Sequence, residues 1–170
     1  AFATIYEDVE IGEGSWIGPN TVIMNGARIG KNVQVFPGAV ISGDPQDMKY
    51  EGEITTAEIG DNTIIRESAT LHRGTVEGGG KTVIGSNCLL MAYVHVAHDC
   101  QVGNHVILAN SASLAGHVHV GDHAIHDIFG ARAAGIRSVW VNRQQQPWPE
   151  SEFRADYEVS DLHGLLELLI

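Results

Sequence analysis

Aliphatic residues stand at every sixth position along most of this chain, and that period limits its fold more than any other feature. One run comprises Ile5, Ile11, Ile17, Ile23, Ile29, Val35 and Ile41. A second comprises Ile59, Ile65 and Leu71, and a third Ile84, Leu90, Val96, Val102, Leu108, Leu114 and Val120. All seventeen are Ile, Leu or Val, and Gly follows seven of them: Gly12, Gly18, Gly30, Gly60, Gly85, Gly103 and Gly121. Such a repeat is the signature of a hexapeptide β-helix. Each hexad supplies one short strand and a turn, and three hexads close one triangular coil. The aliphatic residue points into the prism, onto its equivalents in the coils above and below. Strands of successive coils pair in parallel about 4.8 Å apart. Residues three hexads apart therefore stack, and stability approximates a nearest-neighbour sum. Gly after the aliphatic residue is expected where the backbone turns tightly.

Two interruptions break the period. Between Ile41 and Ile59 lies the polar stretch SGDPQDMKYEGEITTAE, with Pro45, and the hexad phase resumes beyond it. Between Leu71 and Ile84, seven residues exceed the period within HRGTVEGGGKTV. Both read as loops extruded from the prism, and long loops on a rigid scaffold are where function concentrates. The run GTVEGGGKT resembles a phosphate-binding loop. However, five residues separate Gly74 from Gly80 where that motif has four, and no strand-to-helix setting surrounds it. Nucleotide hydrolysis is not expected there.

The 170 residues are 44% hydrophobic, enough for one domain with a small appendage and too apolar for a disordered chain. No stretch has the roughly 18 consecutive apolar residues of a membrane helix, and no signal-peptide pattern opens the chain. The net charge of −11 argues against nucleic acids and anionic membranes as partners. Cys88 and Cys100 share one hexad phase but lie twelve residues apart, on different faces of the coil. They are expected to be reduced, packed thiols of a cytoplasmic protein.

His72, His95, His98, His105, His117, His119, His123 and His126 crowd the middle and later repeat. Stacking sorts them. His98 lies one coil from Gly116, and Asp99 one coil from His117; with the thirteen-residue step counted as one hexad, His72 falls opposite Ala97, beside His98. His72, His98, Asp99, Gly116 and His117 therefore share one edge on consecutive coils. That set suits acyl transfer. A neutral imidazole takes the proton from a sugar hydroxyl, and a neighbouring carboxylate fixes its tautomer. A glycine N–H, unobstructed by a side chain, faces the developing oxyanion. His105, His119 and His163 read instead as solvated surface positions. Zinc held by three histidines at a subunit interface, as in γ-class carbonic anhydrases, is the competing chemistry. The His-x4-His spacing of that class is absent.

The segments QDMKYEGE (46–53), IRESATLHRGT (65–75), GGGKTVIGSNCLLM (78–91), VHVAHDCQVGN (94–104) and ILANSASLAGH (107–117) resemble the UDP-N-acetylglucosamine acyltransferases over about residues 5–125. The resemblance implies a left-handed parallel β-helix over residues 1–125, of about six coils. It implies a homotrimer with active sites between neighbouring subunits. The reaction it implies moves a hydroxyacyl chain from acyl carrier protein to the 3-hydroxyl of UDP-N-acetylglucosamine, the first step of lipid A synthesis. His98 is then the general base, Asp99 its orienting partner and the Gly116 N–H the oxyanion donor. Asp47, Lys49, His72, His95 and His117 line the substrate site, with Asp47 and Lys49 reaching the nucleotide sugar from the first loop. No cofactor is implied. A rival reading, a non-catalytic trimeric scaffold with a vestigial sugar-nucleotide pocket, uses the same fold.

After Val120 the period ends, and His126 occupies the next position due an aliphatic residue. The stretch HVGDHAIHDIFGARAAGIRSVWVNR (119–143) resembles the C-terminal part of the haloacid-dehalogenase-type phosphatases. In that family the GDxxxxD run, here Gly121, Asp122 and Asp127, helps to hold Mg²⁺. A GARAAG helix and an RSVWVN strand follow. The closing ADYEVSDLHGLLELLI reads as a short strand and an amphipathic helix, with Ser160 at its N-cap. Residues 126–170 are thus expected to form a small α/β appendage, of different origin from the β-helix, as in a chimera. The phosphatase nucleophile motif Asp-x-Asp does not occur, so no phosphatase activity is expected. Asp122 and Asp127 would make at most a weak Mg²⁺ site, turn and helix-cap duty being the ordinary role of such residues.

Overall fold

The computed structural model describes residues 2–120, 139–142, 145, 147, 148 and 154–160. The chain divides into two compact units, Ala1–Val118 and His119–Ile170. The first is a left-handed parallel β-helix of three sheets. One face runs through β1 (Thr4–Ile5), β4 (Val22–Ile23), β7 (Val40–Gly43), β10 (Thr70–His72), β13 (His95–Val96) and β16 (Ser113–Leu114). The second contains β2 (Val9–Ile11), β5 (Ala27–Ile29), β8 (Thr56–Ile59), β11 (Lys81–Ile84) and β14 (Gln101–Val102). The third contains β3 (Trp16–Ile17), β6 (Gln34–Val35), β9 (Ile64–Ile65), β12 (Leu89–Leu90) and β15 (Ile107–Leu108). Among the described residues none is helical, and no described helix is long and apolar enough to cross a membrane.

The hexad register holds throughout. Ile5 pairs with Ile23 and Ile23 with Ile41. The register then passes across both loops, pairing Ile41 with Leu71 and Leu71 with Val96. The loops, residues 44–55 and 73–80, leave the prism at the corner between the first and second faces and do not disturb the stack. Ile23, Val35, Ile41, Ile65 and Val96 are fully buried. A second inward set stands four residues after each aliphatic one and is small: Ala27, Val33, Ala39, Thr63, Ala69, Cys88, Val94 and Cys100, all buried. The prism narrows there, so volume decides the residue. Both cysteines are free and belong to this set, and burial raises their thiol pKa values.

The glycines after the aliphatic residues have a role other than the expected tight turn. Left-handed backbone falls two residues after such glycines, at Asn20, Asn32, Asn62, Asn87 and His105, with φ between 53 and 59°. A Cβ on Gly12, Gly60 or Gly85 would instead lie 2.5–2.6 Å from backbone atoms of the next coil. Adjacent coils approach too closely at these points for any side chain.

The outward positions separate the faces chemically. The second face carries charge: Arg28 bonds Asp8 at 2.7 Å and Glu10 at 3.4 Å, and Lys81 pairs with Glu58 at 3.3 Å. The third face is largely apolar, with Trp16, Ile64, Leu89 and Ile107 pointing outward, Gln34 interrupting them and Phe36 packed edge-on to Trp16; Trp16 and Ile107 are 47% and 64% exposed. The inward residues of the first coil are also partly open, Ile5 at 50%.

In the second unit β17 (His119–Val120) is followed by a parallel pair, β18 (Val139–Val141) with β19 (Tyr157–Val159). The Asn142 N–H donates to the Val159 carbonyl at 2.8 Å, and its side-chain amide to Glu158 at 2.7 Å. The GARAAG segment, the terminal LHGLLELLI segment and the Mg²⁺ candidates Asp122 and Asp127 lie outside the described residues.

Candidate active site

The corner between the first and second faces carries the chemistry. His98 and Asp99 follow β13, and Gly116 and His117 follow β16 one coil further on, so the parallel register superposes them. The His98 Nδ1–H donates to Asp99 Oδ2 at 2.7 Å, since a carboxylate oxygen only accepts; in the neutral ring this leaves the lone pair on Nε2. The His98 side chain is 12% exposed and that of Asp99 only 1%. Asp99 holds a left-handed backbone, φ 61°, which short acidic residues tolerate and β-branched ones do not.

Gly116 fits the imidazole closely. A Cβ there would lie 2.6 Å from His98 Cε1 and 2.7 Å from Nε2. The absent side chain is therefore the space the ring occupies. His117 closes the other side, its ring edge-on to His98 at 5.1 Å and its Nε2 3.9 Å from Asp99 Oδ2.

A second histidine pair lies on the same face. The rings of His72 and His95 meet edge-on at 4.8 Å, and His95 Nδ1 shares a 2.7 Å hydrogen bond with Thr70 Oγ1. A bulge after Leu71 sets His72 opposite Gly43, whose missing Cβ leaves room for the ring. His72 Nδ1 is buried without a hydrogen-bond partner. Burial, reinforced by His95 and His98, lowers the His72 pKa to about 4. Burial also lowers that of His95. The neutral imidazole of His72 is thus a poor base and a latent hydrogen-bonding group, and its nearest ring is His95 instead of the His98 that simple stacking suggests.

The two loops meet beside this corner. Asp47 Oδ1 accepts the Lys49 N–H at 3.0 Å, and Lys49 Nζ reaches Glu77 of the second loop at 3.2 Å. Arg73 fastens the first loop. It donates to the Tyr50 hydroxyl at 2.6 and 3.0 Å, to the Ser42 carbonyl at 3.2 Å, and pairs with Asp44 at 2.5 Å. A small cleft between the loops is lined by Asp47, Lys49, Tyr50, Glu53, Thr75 and Glu77. A wider open groove on the second face, along Glu10, Arg28, Glu58 and Ser86, contains none of the candidate residues.

Two participants escape sequence reasoning. Thr75 donates twice to Asp99, from its N–H to Oδ1 and from its hydroxyl to Oδ2, both at 2.7 Å. Thr82 Oγ1 accepts the Asp99 N–H at 2.7 Å. The glycine-rich run that imitates a phosphate loop therefore closes over a carboxylate. Only the hydroxyl of Thr75 signals this, and one hydroxyl in a loop is not distinctive. The ligand atoms of His98, Asp99 and His117 all lie within 4.8 Å of one another, a spacing that a cation could bridge. Three short hydrogen bonds, two from Thr75 and one from His98, already engage both Asp99 oxygens.

A coiled prism of hexapeptide repeats with a histidine–carboxylate corner defines the class. The bacterial transferase hexapeptide (six repeats) model matches residues 8–43 and 81–116. The chain is also similar to solved UDP-N-acetylglucosamine acyltransferases. LpxA from Bacteroides fragilis is 43% identical over 69% of this chain and 53% of its own, with a TM-score of 0.64. The Campylobacter jejuni enzyme is 44% identical over 70% of this chain and 46% of its own, TM-score 0.66. LpxA from Acinetobacter baumannii is 47% identical over 71% and 52%, TM-score 0.57. The chain spans about half the length of these proteins.

Proposed function

We propose that this chain carries the acyl-transfer site of a UDP-N-acetylglucosamine O-acyltransferase acting in lipid A synthesis, with acyl carrier protein as donor. The observation that carries the reading is the aligned set Thr75–Asp99–His98 with Gly116 under the imidazole. His98 Nε2 takes the proton of the sugar 3-hydroxyl as its oxygen attacks the thioester carbonyl. The oxyanion develops beside the Gly116 backbone, where an N–H donor stabilises it. The carbon–sulfur bond breaks, and the imidazolium returns its proton to the thiolate. Asp99 holds the ring and offsets its transient positive charge. Asp47 and Lys49 hold the nucleotide sugar from the first loop, while His72, His95 and His117 line the remainder of the site.

Similarity to the acyltransferases suggests a homotrimer with sites between subunits, and the apolar third face is suited to such burial. Acyl transfer from hydroxyacyl carrier protein to UDP-N-acetylglucosamine is the test, with His98→Ala as control. Turnover that falls at least 10³-fold in the variant supports base catalysis. A wild-type chain that binds the nucleotide sugar without turnover overturns the proposal and leaves a binding scaffold.

A further inference from the structure

We propose that Thr75 is a positioning residue of this site and that the second loop exists to hold Asp99 in place. The inference rests on the acyl-transfer reading only for its kinetic consequence; its structural content stands apart. Asp99 lies in a turn whose left-handed backbone does not by itself fix the carboxylate. The loop does so from outside the prism. Thr75 grips Oδ1 with its N–H and Oδ2 with its hydroxyl. The Gly78 N–H donates to the same hydroxyl at 3.1 Å. That bond occupies the hydroxyl as an acceptor, so its proton must point at Asp99.

Gly78 completes the clamp. A Cβ on it would lie 2.0–2.3 Å from the three atoms of the Asp99 carboxylate group, so the loop backbone rests directly on that group. The loop is anchored at its base, where the Gly74 N–H donates to the Thr56 carbonyl at 3.1 Å and the Thr56 N–H to the Gly80 carbonyl at 3.0 Å. With both donors in place, one direction remains open at Oδ2, and His98 Nδ1–H fills it. Thr75 thus selects the imidazole tautomer that leaves Nε2 free, acting through Asp99 without meeting the reacting atoms. It also lines the cleft that holds Asp47 and Lys49, which couples loop placement to ring placement.

The test compares this chain with its Thr75→Val, Thr75→Ser and Gly78→Ala variants. Valine keeps the shape and removes the hydroxyl, serine restores it, and alanine pushes the loop off the carboxylate. Two readouts are taken: long-range ¹H–¹⁵N correlation of the imidazole nitrogens, and steady-state kinetics of acyl transfer. Thr75→Val and Gly78→Ala are expected to mix the His98 tautomers and to lower kcat about 10–100-fold, the range seen when an outer-shell partner is lost. KM for the nucleotide sugar should change less than about twofold, and Thr75→Ser should retain both signals. A single Nδ1–H tautomer in every folded variant overturns the inference, whatever the kinetics. Mixed tautomers in a chain whose wild type shows no turnover uphold the clamp and remove the enzymatic reading instead.

Discussion

At the residue scale, the corner is governed by what is missing as much as by what is present. His98 occupies the volume a side chain at position 116 would need, so Gly116→Ala should displace the ring and leave the prism standing. A displacement of about 1 Å at a catalytic group lowers turnover roughly 10²-fold. Kinetics together with an unchanged denaturation midpoint would establish it. His72 yields a pH prediction. Its folded pKa is about 4, below the unfolded value of 6.5. The unfolded chain therefore binds a proton that the folded chain refuses. Stability is complete above about pH 6.5 and falls toward pH 4, by at most ~1.4 kcal/mol per pH unit from this residue. Melting curves from pH 7 to 4 should fall less steeply in His72→Gln, and identical slopes would sink the assignment.

At the element scale, each coil depends on its neighbours through paired aliphatics and through backbone contact at the glycines. Gly85→Ala sets a methyl 2.5 Å from the Gly103 carbonyl oxygen. Overpacking of this kind costs about 1–3 kcal/mol, readable as a lower urea midpoint. Removing Ile65, fully buried in the third face, should cost about 2–5 kcal/mol by leaving a cavity. The loops answer to different residues. Arg73→Ala unties Tyr50, Ser42 and Asp44 from one another, so hydrogen exchange over 44–55 should accelerate. In the proposed enzyme, KM for the nucleotide sugar should rise about tenfold, equivalent to ~1.4 kcal/mol, with kcat less affected.

At the scale of the whole molecule, the three faces divide the labour. The first presents histidines, the second paired charges, and the third an apolar stripe from Trp16 to Ile107. If the stripe is covered by a second and third copy, light scattering should give three times the mass of one chain. Ile107→Lys should then reduce that mass to the monomer value, because a desolvated lysine opposes burial. A monomeric wild type would remove the shared site from the proposal and leave the β-helix untouched.

The hexad period in the sequence dictated the prism, its three faces and its register, because one aliphatic residue per six must be buried and only coiling stacks seventeen of them. The same period aligned His98 with Gly116 and Asp99 with His117, since equal spacing becomes spatial superposition. Three features depended on the tertiary structure. The glycines after the aliphatics serve the close approach of coils, which no single coil reveals. The His72 ring meets His95 because a bulge, opposite Gly43, breaks the simple stack. Thr75 grips Asp99 because a seven-residue excess folds back over a turn twenty-four positions away. A loop's path follows from what it packs against, and periodicity says nothing about residues that stand outside it.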